Sequence, residues 1–211
     1  MTTHLLLQLF LSFYFFAALL TAVAGDVIEP STKHAYRETQ SYGLTKLSLA
    51  GVGVRVKQIG PIQARVYSAG VYVDKGDVVA RLRSSTDAVI VESKSAKAIL
   101  LRMARTVGAE TMVGAIGESI RPRMNGKDLA ALGRFQSLLL DGLKHGAKDN
   151  TLFRFDIAPG NSKLTAIING VNHGSVSSPT LCRAFASVYL GPGTVSPSLK
   201  DACAKTLASW K

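Results

Sequence analysis

Leu49-Ala50-Gly51-Val52-Gly53-Val54-Arg55-Val56-Lys57, followed after Gly60-Pro61 by Val66-Tyr67-Ser68-Ala69-Gly70-Val71-Tyr72-Val73-Asp74, is the stretch whose reading decides the fold. From Leu47 to Lys57 the residues alternate. Val52, Val54 and Val56 lie on one face, with Gly53, Arg55 and Lys57 on the other, which is the period of two that marks a strand. The run Ile62 to Val73 is rich in β-branched and aromatic residues and reads as a second strand, folded back on the first at Gly60-Pro61. Arg55 and Tyr67 therefore stand on neighbouring strands, among apolar neighbours. An arginine there is costly to leave unpaired, so it requires an internal carboxylate, water or a bound anion.

Outward from this hairpin the pattern changes period. A short helix is expected over Val78 to Leu82, and strands over Ala88 to Val91 and Ala98 to Met103. Val107 to Ile120 and Leu129 to Leu143 carry apolar residues at helical spacing. Arg121-Pro122-Arg123 and Asn125-Gly126 break them apart. Leu152 to Ile157 and Leu164 to Ile168 read as a hairpin about Pro159-Gly160-Asn161. Ser178-Pro179 and Ser196-Pro197 each place a capping hydroxyl before a proline suited to the first helical position. Helices are expected from there to about Leu190 and Trp210. Strands, helices, a hairpin, then helices is an α+β order, not the strict alternation of a parallel sheet.

Upstream of the hairpin, Met1 to Ala24 contains no Lys, Arg, Asp or Glu and closes on Ala22-Val23-Ala24, a triplet that a signal peptidase accepts. Cleavage is expected after Ala24. An uncleaved anchor is the alternative, since roughly 20 apolar residues also span a bilayer and the customary basic n-region is missing. Residues 25–42 are polar and read as a leader crossing the surface, and 43–211 as one domain with room for a proper core. The route is secretory, ending in secretion or the endomembrane system, or passing through it to a plastid. Two cysteines, Cys182 and Cys203, do not make a disulfide scaffold; they read as small buried apolar side chains, with a single bridge as the alternative.

The formal net charge of +11 lies wholly in residues 25–211. Lys46, Arg55, Lys57, Arg65, Arg81, Arg83, Lys94, Lys97, Arg102, Arg105, Arg121 and Arg123 are scattered, without a basic run or interleaved aromatics. That reads as a solvated basic surface. It favours anionic ligands or an anionic membrane surface and argues against specific nucleic-acid recognition. His34, His145 and His173 have no partner at ligand spacing, hydrolase motifs are missing, and Gly51-Val52-Gly53 sits inside a strand without a third glycine. No metal site, nucleotide site or cofactor is expected.

The two runs quoted first, taken with Asn169-Gly170-Val171, Leu181-Cys182-Arg183-Ala184-Phe185, Tyr189-Leu190-Gly191 and Val195-Ser196-Pro197-Ser198-Leu199-Lys200, resemble the N- and C-terminal patterns of the chalcone isomerase family. The resemblance implies an open-faced β-sandwich: a large antiparallel sheet with helices layered on it and a ligand cleft between. In the family's enzymes an arginine stabilises a phenolate while it closes onto an enone, and a threonine and a tyrosine assist near the ketone. Arg55 fills the arginine's place, but the threonine's place falls on Tyr67, and Glu110-Thr111 stands where the tyrosine is expected. The family's fatty-acid-binding branch offers an arginine and a tyrosine from the same strand pair to the ligand carboxylate. The resemblance thus implies Arg55 as anion anchor and Tyr67 as co-donor. Thr180 lies near a position that touches the ligand there, and equally suits a hydroxyl in a helix's first turn. Binding of a fatty acid or similar apolar molecule with an anionic head, without catalysis, is the first expectation. Isomerisation of an enone by Arg55 and Tyr67 is the second, and an interaction module with a self-filled cleft the third.

Overall fold

The hairpin read from the sequence is the middle of the structure, a computed structural model that describes residues 25–82 and 89–211. Strand β4 (Thr45–Ile59) turns at Gly60-Pro61 into β5 (Ile62–Val73), with Arg55 directly opposite Tyr67. Before it come three short strands, β1 (Asp26–Ile28), β2 (Ala35–Arg37) and β3 (Thr39–Tyr42). After it follow α1 (Lys75–Leu82), α2 (Val89–Glu92), β6 (Lys97–Met103), α3 (Ala109–Ile120) and α4 (Leu129–Gly142). β7 (Leu152–Ile157), β8 (Leu164–Ile168), β9 (Val171–Val176), α5 (Pro179–Leu190) and α6 (Pro197–Ser209) complete the order. β3 to β9 form one seven-stranded antiparallel sheet in sequence order, while β1 and β2 pair separately. This is the expected α+β architecture, a large antiparallel sheet with helices on one face.

The alternation along the strands divides the apolar residues between two layers. Tyr67, Ala69, Val71, Ile99, Leu101, Phe153 and Phe155 meet Met112, Ile116, Phe135, Phe185, Tyr189 and Leu199 of the helices in the main core. Phe155 and Phe185 stand 4.8 Å apart at its centre. On the opposite face Tyr72, Ala98, Leu100 and Leu47 are covered by Tyr36 of β2. α6 lies so close over β4 that a Cβ at Gly53 would come 2.2 Å from the Leu199 backbone nitrogen, and one at Gly51 2.7 Å from that of Cys203. Only glycine admits that approach.

Several local expectations change. The polar stretch read as a leader carries β1 to β3, with β3 pairing along β4 and Tyr36 buried. Val89 to Glu92 is one helical turn rather than a strand, because its β-branched run packs against α5 and not into the sheet. β9 joins the sheet beyond β8. Ser178 caps α5, accepting from the Leu181 N–H at 3.1 Å, but the Ser196 hydroxyl donates to the Val54 carbonyl at 2.8 Å and leaves α6 without a side-chain cap. Cys182 and Cys203 are free, buried thiols, whose burial pushes their pKa up to about 11 and about 12. Lys97 is no surface cation but a buried one. The expected signal segment, residues 1–24, lies outside the described residues.

Candidate functional site

Arg55 and Tyr67 meet because β4 and β5 pair in register and both side chains point to the helix side. The Arg55 Nη1 donates to the Tyr67 hydroxyl at 3.3 Å, and the guanidinium carbon lies 5.7 Å from the Tyr67 ring centroid. From the helix layer Tyr189, near the end of α5, brings its hydroxyl to 3.5 Å from that of Tyr67. Tyr67 and Tyr189 are fully buried, whereas Arg55 is half-buried at the edge of the pair. α6 is fastened beside them: the Ser198 hydroxyl accepts from the Val54 N–H at 3.0 Å, while Ser196 holds the Val54 carbonyl. The β4 backbone next to Arg55 is thereby fixed.

Electrostatics bear on Arg55 and Tyr189 in opposite ways. Burial opposes the Arg55 charge, but the adjoining Tyr67 and Tyr189 hydroxyls and the Glu118 carboxylate outweigh it and hold its pKa above the ordinary arginine value. Burial drives the Tyr189 phenol well above its ordinary value, so it stays neutral. Among the described residues no carboxylate forms an ion pair with Arg55. A guanidinium carries five N–H donors, and Tyr67 takes one. The arrangement is a half-buried cation with donors beyond the one Tyr67 takes, backed by two buried phenols in an apolar wall, and suited to holding an anion through charge-assisted hydrogen bonds.

The other expected residue stands elsewhere. Thr180 is in the first turn of α5, nine residues before Tyr189, which at 1.5 Å per residue puts it about 13 Å away along the helix. It does not join Arg55 and Tyr67. Glu110 and Thr111, where the enzyme pattern has a tyrosine, are exposed at the start of α3. Tyr189 was not assigned from the sequence, although a tyrosine four residues after Phe185 on an apolar helix face was visible there. Its convergence on Tyr67 arises only when α5 is laid on the sheet. His34, in the loop just before β2, is half-buried on the other face, its Nδ1 2.7 Å from the buried Ser68 hydroxyl.

A crystal structure of a fatty-acid binding protein from Arabidopsis thaliana matches this architecture with a TM-score of 0.74, at 24% identity, over 88% of this chain and 98% of that one. Among curated proteins no relative matches at a significant level. The family model described as chalcone isomerase-like matches residues 31–203, the span that holds the whole seven-stranded sheet, Arg55, Tyr67 and Tyr189. The chain belongs to the chalcone isomerase-like family.

Proposed function

We propose that this protein binds a fatty acid, or a similar apolar molecule with an anionic head, without transforming it. The observation that carries the reading is Arg55: a half-buried cation, hydrogen-bonded to a buried phenol, with no carboxylate in ion-pair contact among the described residues. A ligand carboxylate supplies the missing countercharge, accepting from the guanidinium while Tyr67, which already accepts from Arg55, turns its own proton to the ligand or to Tyr189. The acyl chain then contributes about 0.8 kcal/mol per buried methylene before ordering costs. A groove of about 620 Å³ lies between α2, α5 and α6, bordered by Ile90, Leu190, Cys203 and Leu207 together with the charged Glu92 and Lys200; Arg55, Tyr67 and Tyr189 do not line it. The structural relative from Arabidopsis is a fatty-acid binding protein, which supports the same ligand class.

Cyclisation of an enone is the weaker reading, since Glu110 and Thr111 are exposed where a tyrosine should assist. Native mass spectrometry of the chain from Gly25, with fatty acid titrated in, tests the proposal. Wild type should carry the acid. Arg55→Ala should weaken it by about 10- to 100-fold, the worth of a hydrogen bond to a charged group, and Tyr67→Phe by less. Equal loading of wild type and Arg55→Ala, or none in either, would sink the anchor. The signal segment expected over residues 1–24 makes the secretory route the setting we propose for this binding, and N-terminal sequencing of the exported protein should begin at Gly25.

A further inference from the structure

The β4–β5 hairpin outlasts its sheet. β6 pairs with β5 from Tyr67 onward, with Ala104 reaching Val66, so residues 56–65 project beyond it as a two-stranded arm. A bulge between Arg55 and Val56 marks the arm's root. Its tip is the two-residue turn Gly60-Pro61, with Gly60 at φ 57° in the left-handed region and Pro61 restricting the next φ. The turn sets Ile59 and Ile62 opposite each other, 51% and 66% exposed. Two rungs are enough to define the chemistry below them. Lys57, opposite Ala64, shares the isoleucine face, and Arg65, opposite Val56, takes the other face; both cations are exposed. No Asp or Glu occurs from Thr39 to Val73. Arg65 lines a groove together with Arg105 and Asp149.

We propose that this arm is a docking device for an anionic bilayer surface. The isoleucine pair enters the boundary between headgroups and acyl chains, while Lys57 and Arg65 lie against acidic headgroups on either side. At about 3.3 Å per residue the isoleucines reach roughly 7 Å beyond Lys57, which matches the 5–10 Å depth of interfacial apolar side chains. Basic residues near such a surface each add favourable attraction. A second copy of the chain is a poor occupant, because tip-to-tip contact would bring together four like charges. Arg55 and Tyr67 pair at the arm's root, so a docked arm holds the proposed ligand site next to the membrane from which an acyl ligand would come. Docking itself does not require that a ligand be bound.

Co-sedimentation of the chain from Gly25 with phosphatidylcholine vesicles, with and without phosphatidylserine, decides the matter. This part of the chain contains both cores and the whole family match. Wild type should sediment with the acidic vesicles only. Ile59→Asp/Ile62→Asp and Lys57→Glu/Arg65→Glu should each reduce partition by at least about tenfold, with unfolding temperatures no lower than wild type because all four side chains are exposed. Failure of wild type to sediment, or variants that sediment like wild type, would overturn the proposal. So would a dimer in analytical ultracentrifugation that the aspartate pair dissolves, which would make the tip a protein contact. Fatty-acid titration of the same variants should match wild type, which separates failure of docking from failure of ligand binding.

Discussion

Lys97 shows how much a single side chain can be made to bear. It is 1% exposed, and its Nζ donates to the Ser93 carbonyl at 2.7 Å and the Asn161 Oδ1 at 2.8 Å. Two acceptors are all that a neutral amine can serve with its two protons. Burial disfavours the charge and lowers the pKa to about 8. An unfolded lysine titrates near 10.4, so between about pH 8 and 10 the unfolded chain holds a proton that the folded one has released. Stability from this group therefore rises with pH in that window, and below it the full cost of a buried cation is present. At 1.36 kcal/mol per unit the effect is at most on the order of 3 kcal/mol. Cys182 and Cys203 oppose it, since unfolded thiols ionise near pH 8.5 while these remain protonated. Lys97 lowers the Cys182 pKa somewhat, but with the thiols at about 11 and about 12 both stay largely protonated to pH 10, and losing Lys97 only raises Cys182 further. The difference in unfolding free energy between these two proteins, from urea titrations, should therefore climb from pH 8 to 10 in favour of wild type. A flat difference would mean that folded Lys97 keeps its proton through this window and is better solvated than its burial indicates.

Among the elements, the contact of α6 on β4 has the tightest requirement. Gly53→Ala places a Cβ 2.2 Å from the Leu199 backbone, and no side-chain rotation relieves that clash. The helix must lift, straining the Ser196 and Ser198 bonds to Val54 beside Arg55. We expect a loss of at least 1–3 kcal/mol, the range for overpacking, together with weaker fatty-acid loading. Gly114→Ala and Gly133→Ala make the contrast, as both lie inside helices α3 and α4 with open space at the Cβ. Each should stabilise by roughly 0.5–1 kcal/mol through backbone entropy and helix propensity. Differential scanning fluorimetry orders the three variants. Legibility in the sequence follows the same logic of packing. The inner strands β4, β5, β7 and β8 were readable, because burial on one or both faces enforces their pattern. β3 and β9 were not, and they are the two edges of the sheet, where Thr39-Gln40-Ser41-Tyr42 and Val171-Asn172-His173-Gly174 carry polar residues suited to a solvent-facing rim. Of the site, the strand pair Arg55 and Tyr67 was legible through register, whereas Tyr189 comes from a helix 122 residues away along the chain.

At the scale of the whole molecule, the charge is unbalanced. Lysine and arginine number 25 against 14 acidic residues, and two ion pairs, Arg81 with Asp77 and Arg154 with Asp156, occur among the described residues. Most of the positive charge is thus compensated only by solvent ions, and folding draws like charges together at a cost in self-repulsion. The Debye length shrinks to about 8 Å at 0.15 M salt, short enough to screen neighbours across this surface. Sodium chloride should therefore raise the unfolding temperature by a few degrees between low and about 0.15 M ionic strength. The same screening should release the chain from phosphatidylserine vesicles, because Lys57 and Arg65 attract headgroups through the same field that destabilises the fold. The two responses have opposite signs and one origin. In Lys57→Glu/Arg65→Glu, which lowers the net charge by four, both should shrink: a smaller gain in unfolding temperature and little vesicle binding left to lose. A wild-type unfolding temperature that is flat or falls with salt would show that the excess charge is spread too thinly over the surface to oppose folding.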